Sequence, residues 1–235
     1  MAERPLAGRR IAVTRPDSRA LVEALERLGA EVAVVPLIEI RPAESLRVDI
    51  SSYDWIVLTS VNGVRAVADG LHGLGGRTHV AAVGPATAAA VRALGVEPAV
   101  VGTGATEALP DALGELAGKR ALLPQADIAS PELASALRAR GAVVDGVVAY
   151  RTVPVEATRE GREALGRADA VLLASGSAAR SLVAQGGAGG ALVVCIGPKT
   201  AAAAREVGLE VGLIAPETTS EGMIEALVTH FSEDE

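Results

Sequence analysis

The chain repeats itself. The run Asp-Trp-Ile-Val-Leu-Thr-Ser from Asp54 to Ser60 is followed by a helical stretch and then by Ala-Val-Gly-Pro-Ala-Thr from Ala82 to Thr87. Later, Asp-Ala-Val-Leu-Leu-Ala-Ser from Asp169 to Ser175 is followed by another helical stretch and by Cys-Ile-Gly-Pro-Lys-Thr from Cys195 to Thr200. The pairs Gly84/Gly197, Thr87/Thr200 and Gly95/Gly208 share one offset. A spacing without drift marks two homologous halves rather than chance similarity. Each half, roughly 110 residues, is long enough to bury its own core. Two similar lobes facing each other make a cleft, where small molecules usually bind.

Strands and helices alternate through both copies. Arg10–Thr14 predicts a strand, Asp17 or Ser18 a helix cap, and Ala20, Leu21, Ala24, Leu25 and Leu28 an apolar face. Gly29 closes that helix before a strand at Glu31–Val35. Asp54–Thr59 and His79–Val83 read as strands, separated by a helix that starts near Ser60 or Asn62. Pro85–Leu94 reads as an Ala-rich helix and Val96–Val101 as a strand. Glu107–Leu116 reads as a helix capped by Thr106, Lys119–Leu123 as a strand and Pro131–Ala139 as a helix. The second copy predicts strands at Asp169–Ala174, Ala191–Ile196 and Leu209–Ile214. Its helices are Ser177–Val183, Lys199–Val207 and Ser220–His230. This alternation implies an α/β fold with two similar doubly wound parallel-sheet lobes.

A third pair of segments sets the domain order. Arg10–Val35 resembles Arg120–Val144, and each is followed by an extended stretch bounded by Pro. These stretches are expected to cross between lobes and to pair as a two-stranded linker. The expected division is residues 1–38 with 153–235 as an outer lobe and 45–146 as a middle lobe. Residues 39–44 and 147–152 would be the linker strands.

Hydrophobic residues make up 49 % of the chain and aromatic residues 2 %, so the core must be built from Ala, Val and Leu. The net charge of −7, from 22 basic and 29 acidic residues, argues against nonspecific nucleic-acid binding, which needs phosphate neutralisation. The single Cys195 cannot form an intramolecular disulfide and reads as a buried thiol. The first residues lack the apolar core of a signal peptide, and no run reaches the roughly 18 apolar residues of a membrane span. A soluble cytoplasmic protein is expected, with no membrane or nucleic-acid partner. Nothing demands a dimer, so a monomer is expected. His72, His79 and His230 lack metal-ligand spacing, and neither a Walker loop nor a dinucleotide fingerprint is present. No metal or other cofactor is expected.

The candidate chemistry lies at strand-to-helix turns. Thr59 and Ser60 follow one strand; Ser175 and Ser177 follow its equivalent. Carboxyl ends of parallel strands line ligand crevices, and helix starts offer N–H groups to anions. Capping is the default role of such hydroxyls, and the matched occurrence raises ligand binding to an equal footing. In Gly84-Pro85-Ala86-Thr87 and Gly197-Pro198-Lys199-Thr200, Gly permits close approach, Pro fits a first turn, and Thr offers a hydroxyl. A plain turn explains each tetrapeptide as well. Arg15, at the end of the first strand, could hold a carboxylate, or be a surface Arg in a turn. Tyr150, one of two tyrosines, stands in the proposed linker. Its phenol could donate a proton, although packing is the commoner role of a strand aromatic.

Taken together, these residues resemble the uroporphyrinogen-III synthase family. The resemblance runs from Ile11-Ala12-Val13-Thr14-Arg15-Pro16 to Glu217-Thr218-Thr219-Ser220-Glu221-Gly222. It is strongest at Leu58–Val64, Val83–Thr87, Val148–Thr152 and Ile196–Thr200. It implies two α/β lobes joined by a two-stranded ladder, and an enzyme without cofactor. The implied reaction cyclises hydroxymethylbilane, a linear tetrapyrrole, with loss of water and inversion of ring D, giving uroporphyrinogen III in heme biosynthesis. By the same resemblance, Tyr150 is the tyrosine that assists departure of the hydroxyl. Thr59, Ser60, Thr87, Ser175, Ser177 and Thr200 match cleft-lining polar positions. Because the chain is net negative, a substrate with carboxylates needs local donors, and Arg15, Lys199 and the helix starts could provide them. Ala174 and Gly176 depart from the family pattern, replacing an aromatic residue and a proline. The alternative is a non-catalytic two-lobed small-ligand-binding or sensor protein, which would share the crevice without needing Tyr150. A regulatory domain with an output module is not expected of a chain ending at Glu235.

Overall fold

A computed structural model describes residues 4–16, 18–43, 48–104, 106 and 108–233. The elements in chain order are β1 (Arg10–Val13), α1 (Arg19–Arg27), β2 (Glu31–Val34), β3 (Ile38–Pro42), β4 (Trp55–Leu58), α2 (Val61–Ala66) and α3 (Ala68–Leu71). Then come β5 (His79–Ala82), α4 (Pro85–Arg92), β6 (Val100–Val101), α5 (Leu109–Ala112), β7 (Arg120–Ala126), α6 (Glu132–Ala139) and β8 (Val143–Pro154). The chain finishes with α7 (Arg159–Arg167), β9 (Ala170–Leu173), α8 (Gly176–Ala184), β10 (Leu192–Cys195), α9 (Pro198–Glu206), β11 (Leu213–Ile214) and α10 (Ser220–Glu233). The fold is α/β.

The chain divides into two compact units. Unit 1 is Met1–Glu39 with Val153–Glu235, and unit 2 is Ile40–Thr152. One sheet has the order β11-β10-β9-β1-β2 and the other β3-β8-β7-β4-β5-β6. Pairing is parallel along the whole first sheet and from β8 to β6 in the second. At β3 the sense reverses. Val155 N–H donates to the Leu37 carbonyl at 3.0 Å and Ala43 N–H to the Ala149 carbonyl at 3.1 Å, partners running in opposite order. The expected linker stretch 147–152 is thus the second half of a continuous β8. The expected boundary at 44–45 lies outside the described residues.

The sheet orders explain the duplication. Read from the two-residue edge strand, β11-β10-β9-β1-β2 matches β6-β5-β4-β7-β8 position by position. In unit 2 these strands follow one another along the chain. In unit 1 the last two come from the chain's beginning. Unit 1 is a circular permutation of unit 2, and this is why Arg10–Val35 resembles Arg120–Val144.

The repeated Asp stitches each junction. Asp169, before β9, accepts the Arg10 N–H at 2.7 Å and the Arg10 guanidinium at 3.0 Å. Asp54, before β4, accepts the Arg120 N–H at 2.8 Å. The Arg10 side chain holds the Asp169 carboxyl below the usual carboxylate range, and the Arg120 N–H does so for Asp54.

Helices cover both faces of each sheet, giving two apolar clusters per unit. Unit 1 has one around Val171, Leu173, Ala179 and Ala201, and another around Ile11, Leu25, Leu172 and Leu227. Unit 2 has one around Val57, Leu109, Leu123 and Leu137, and another around Ile56, Leu58, Val64 and Leu122. With so few aromatics, small side chains let helices approach closely. A Cβ on Gly176 of α8 would lie 2.6 Å from the Ala203 Cβ of α9. Cys195 lies in the first cluster, where burial pushes its thiol up to about 11, consistent with a structural role.

Several predicted elements are shorter than their apolar runs. Val96–Val101 and Leu209–Ile214 keep only β6 and β11, because each is an edge strand paired on one side. Pro98 also lacks an N–H for the ladder. The helix expected over Glu107–Leu116 is only α5; Gly114, at φ +73°, ends it. Ala108, not Thr106, holds the N-cap position of α5. Pro131 is the N-cap of α6 rather than its first residue. The helix after Ser60 breaks at Val67 into α2 and α3. Ser18 holds the N-cap position of α1 without a side-chain bond. Asp17, Glu107 and the terminal residues 1–3 and 234–235 lie outside the described residues.

Candidate active site

Every side chain singled out from sequence lies at or just beyond the carboxyl end of a parallel strand. Arg15 follows β1, Thr59 and Ser60 follow β4, and Ser175 and Ser177 follow β9. Thr87 sits in the first turn of α4, and Lys199 and Thr200 in the first turn of α9. Tyr150 lies on β8 opposite Ala126, the last residue of β7. Tyr150, Thr59, Ser60 and Thr87 belong to unit 2. Arg15, Ser175, Ser177, Lys199 and Thr200 belong to unit 1.

The two serine turns are near copies. Ser60 caps α2 at φ −158°, ψ 158°, and its Oγ accepts the Gly63 N–H at 3.0 Å. Ser175 caps α8 at φ −159°, ψ 155°, and accepts the Ala178 N–H at 3.2 Å. Capping therefore uses an acceptor site on each hydroxyl and leaves its proton to be donated. Ser177 and Thr59 are half-buried. Thr87 and Thr200 are 5 % and 7 % exposed and belong to the packing of their helix starts.

The Gly-Pro turns have a different basis from the one expected. Gly84 and Gly197 are the N-caps of α4 and α9 and are both buried. A Cβ on Gly84 would come to 3.1 Å from the Gly104 backbone. One on Gly197 would come to 2.8 Å from the Thr218 hydroxyl. The space that Gly leaves is filled by the chain's own loops. Arg15 is half-buried and Lys199 is exposed.

One bond joins Tyr150 to another of the predicted residues. The Tyr150 hydroxyl lies 2.9 Å from Ser60 Oγ. A β-bulge makes this possible. Pro124 pairs with Val147, and Gln125 with Val148, but Ala126 pairs with Tyr150, so Ala149 is an extra residue on β8. Asp145 bonds Tyr53, and Val147 packs on the cluster that contains Tyr53 and the α2 residue Val64. Strict alternation from those two residues would turn Tyr150 to the opposite face. The bulge returns it to the α2 side, where Ser60 stands. Asp127 fixes the backbone on either side: its N–H donates to the Tyr150 carbonyl at 3.1 Å, and its Oδ1 accepts the Thr152 N–H at 3.1 Å.

Asp127 escaped the sequence reading, since a lone Asp after a strand carries no pattern. The other tyrosine is structural. Tyr53 Oη donates to Asp145 Oδ2 at 2.9 Å, and the Arg120 guanidinium lies over its ring, 4.5 Å from the centroid. Burial and Asp145 raise the Tyr53 phenol above its ordinary value. Among the described residues no group of three or more His, Cys, Asp and Glu could hold a metal ion.

The family model of uroporphyrinogen-III synthase HemD matches residues 19–225. The chain belongs to the uroporphyrinogen-III synthase family. It is 30 % identical to the porphyrin biosynthesis protein HemD of Ruminiclostridium josui over 96 % of its own length, and spans 49 % of that longer protein. It is 29 % identical to the uroporphyrinogen-III synthase of Synechococcus elongatus, covering 97 % of both chains. Its fold is similar to a crystal structure of a mutant uroporphyrinogen III synthase from Thermus thermophilus. That likeness has a TM-score of 0.66 at 22 % identity, over 97 % of this chain and 100 % of the other. Uroporphyrinogen-III synthases are cyclising hydro-lyases of heme biosynthesis. In this family member no described helix is long and apolar enough to cross a membrane.

Proposed function

We propose that this chain is a uroporphyrinogen-III synthase that cyclises hydroxymethylbilane with loss of water and inversion of ring D, and that Tyr150 is its proton donor. One observation carries the residue assignment: the Tyr150 phenol stands at the carboxyl end of the unit 2 sheet, fixed 2.9 Å from Ser60. In the proposed step the phenol gives its proton to the terminal hydroxyl, the C–O bond breaks and water leaves. The substituted carbon of the last ring attacks the resulting azafulvene. The spirocyclic intermediate fragments and recloses with that ring inverted. The proton returns when the closing pyrrole carbon loses its hydrogen. Spontaneous closure gives the other isomer, so holding the chain in one geometry matters as much as rate.

Arg15, Thr59, Ser175, Ser177 and Lys199 are the proposed substrate-binding groups, with Ser60 beside Tyr150 and with Thr87 and Thr200 behind in the helix starts. A net charge of −7 cannot attract a polycarboxylate at long range, so recognition falls to such local donors. The enzyme is proposed to act in the cytoplasm as a monomer, without cofactor or nucleic acid.

The test is incubation with fresh hydroxymethylbilane, oxidation and separation of the porphyrin isomers. Isomer III in excess is expected. Isomer I alone, at the spontaneous rate, would reject the enzyme in favour of a non-catalytic ligand-binding protein.

A further inference from the structure

We propose that Ser60 is a positioning residue for Tyr150: its hydroxyl donates to the phenol oxygen and so leaves the phenol O–H directed to substrate. This rests on the reading of Tyr150 as proton donor. A serine hydroxyl carries one proton and two acceptor sites. Ser60 Oγ accepts the Gly63 N–H at 3.0 Å, so one acceptor site is used, and the Tyr150 oxygen is 2.9 Å away. With Ser60 as the donor, the bonds run in one direction, from Gly63 N–H to Ser60 to Tyr150, and each strengthens the next. The same donor stabilises the phenol oxygen as its proton departs. With the direction reversed, the phenol proton would be spent on Ser60.

Three further features support this assignment. Gly63 packs closely on β7, since a Cβ there would lie 3.1 Å from the Pro124 carbonyl. The donor of the first bond is thus held in place by β7. The bulge at Ala149 puts the phenol on the Ser60 side, and Asp127 clamps the backbone on both sides of it. Unit 1 repeats the serine cap at Ser175, yet both tyrosines of the chain, Tyr53 and Tyr150, lie in unit 2. The duplicated turn thus has a tyrosine within its own unit in one copy only.

The test separates this role from capping and from direct substrate binding. Ser60→Thr, Ser60→Ala and Ser60→Asp are made in the wild type and on Tyr150→Phe, with kcat, KM, isomer ratio and Tm measured for each. Asp caps a helix as well as Ser does, but a carboxylate only accepts and would capture the phenol proton. Thr is expected to keep the activity. Ala should lower kcat by up to about tenfold, the worth of one hydrogen bond, with KM unchanged. Asp should keep Tm and lower kcat further, on the order of a hundredfold. On Tyr150→Phe the same changes at Ser60 should cause no further loss.

A Ser60→Asp enzyme as fast as wild type would overturn the inference, because capping would then suffice. So would a raised KM at constant kcat, which marks direct substrate binding, or a full further loss on Tyr150→Phe. If Tyr150→Phe itself runs at the wild-type rate, the tyrosine reading fails and this inference with it.

Discussion

At the scale of single residues, the repeated Asp does more for the fold than its exposed position suggests. Asp169 binds both the main chain and the side chain of Arg10, and so joins the chain's first strand to its ninth. Its carboxyl is held low by Arg10, so its contribution is present above the unfolded-state carboxylate value. That contribution is lost as pH falls through the lower folded value. Asp169→Ala is expected to cost about 1 kcal/mol at neutral pH, a modest figure because the pair is partly solvated. The cost should shrink in acid. Urea melts of wild type and variant across that range check this. An equal gap at all pH values would show that the carboxylate charge contributes nothing.

At the scale of elements, α8 and α9 of unit 1 approach each other closely at Gly176 and Ala203. Gly176→Ala should destabilise by about 1–3 kcal/mol, since the new methyl would meet Ala203 at 2.6 Å. Adding Ala203→Gly should recover part of the loss. Urea midpoints of the two single variants and the double variant test this; strictly additive losses would refute the contact. Central strands and long helices were legible from apolar runs and turn residues. Edge strands were not, because Val96–Val101 and Leu209–Ile214 look apolar enough while pairing depends on a neighbour on one side. The Ser60 turn was legible through its echo at Ser175. The partnership with Tyr150 was not, because it depends on one extra residue in β8, and no local pattern marks a bulge at Ala149. The glycines of the Gly-Pro turns were legible as sites of close approach, but what approaches, Gly104 and Thr218, comes from elsewhere in the chain.

At the scale of the whole molecule, the duplication has been closed by permutation. Unit 1 takes β1 and β2 from the first residues of the chain and α10 from its last. Within unit 1 the Arg9 guanidinium lies over the Phe231 ring, 4.3 Å from the centroid, so the two ends of the described chain lie on one side. A circular permutant that joins the ends by a short flexible linker and opens the loop at Gly186–Gly190 should therefore fold, with Tm within a few degrees of the parent. Loss of the cooperative melt would contradict the proximity of the two ends that Arg9 and Phe231 imply.

The central claim is that this family member is a synthase whose chemistry passes through Tyr150. The most direct measurement is single-turnover conversion of hydroxymethylbilane by the wild type and by Tyr150→Phe, read as the yield and rate of isomer III. The account expects isomer III from the wild type, and a rate on the order of a hundredfold lower from the variant, which should remain folded. Isomer III formed equally fast by both proteins would contradict the role of Tyr150, and isomer I alone from the wild type would contradict the synthase.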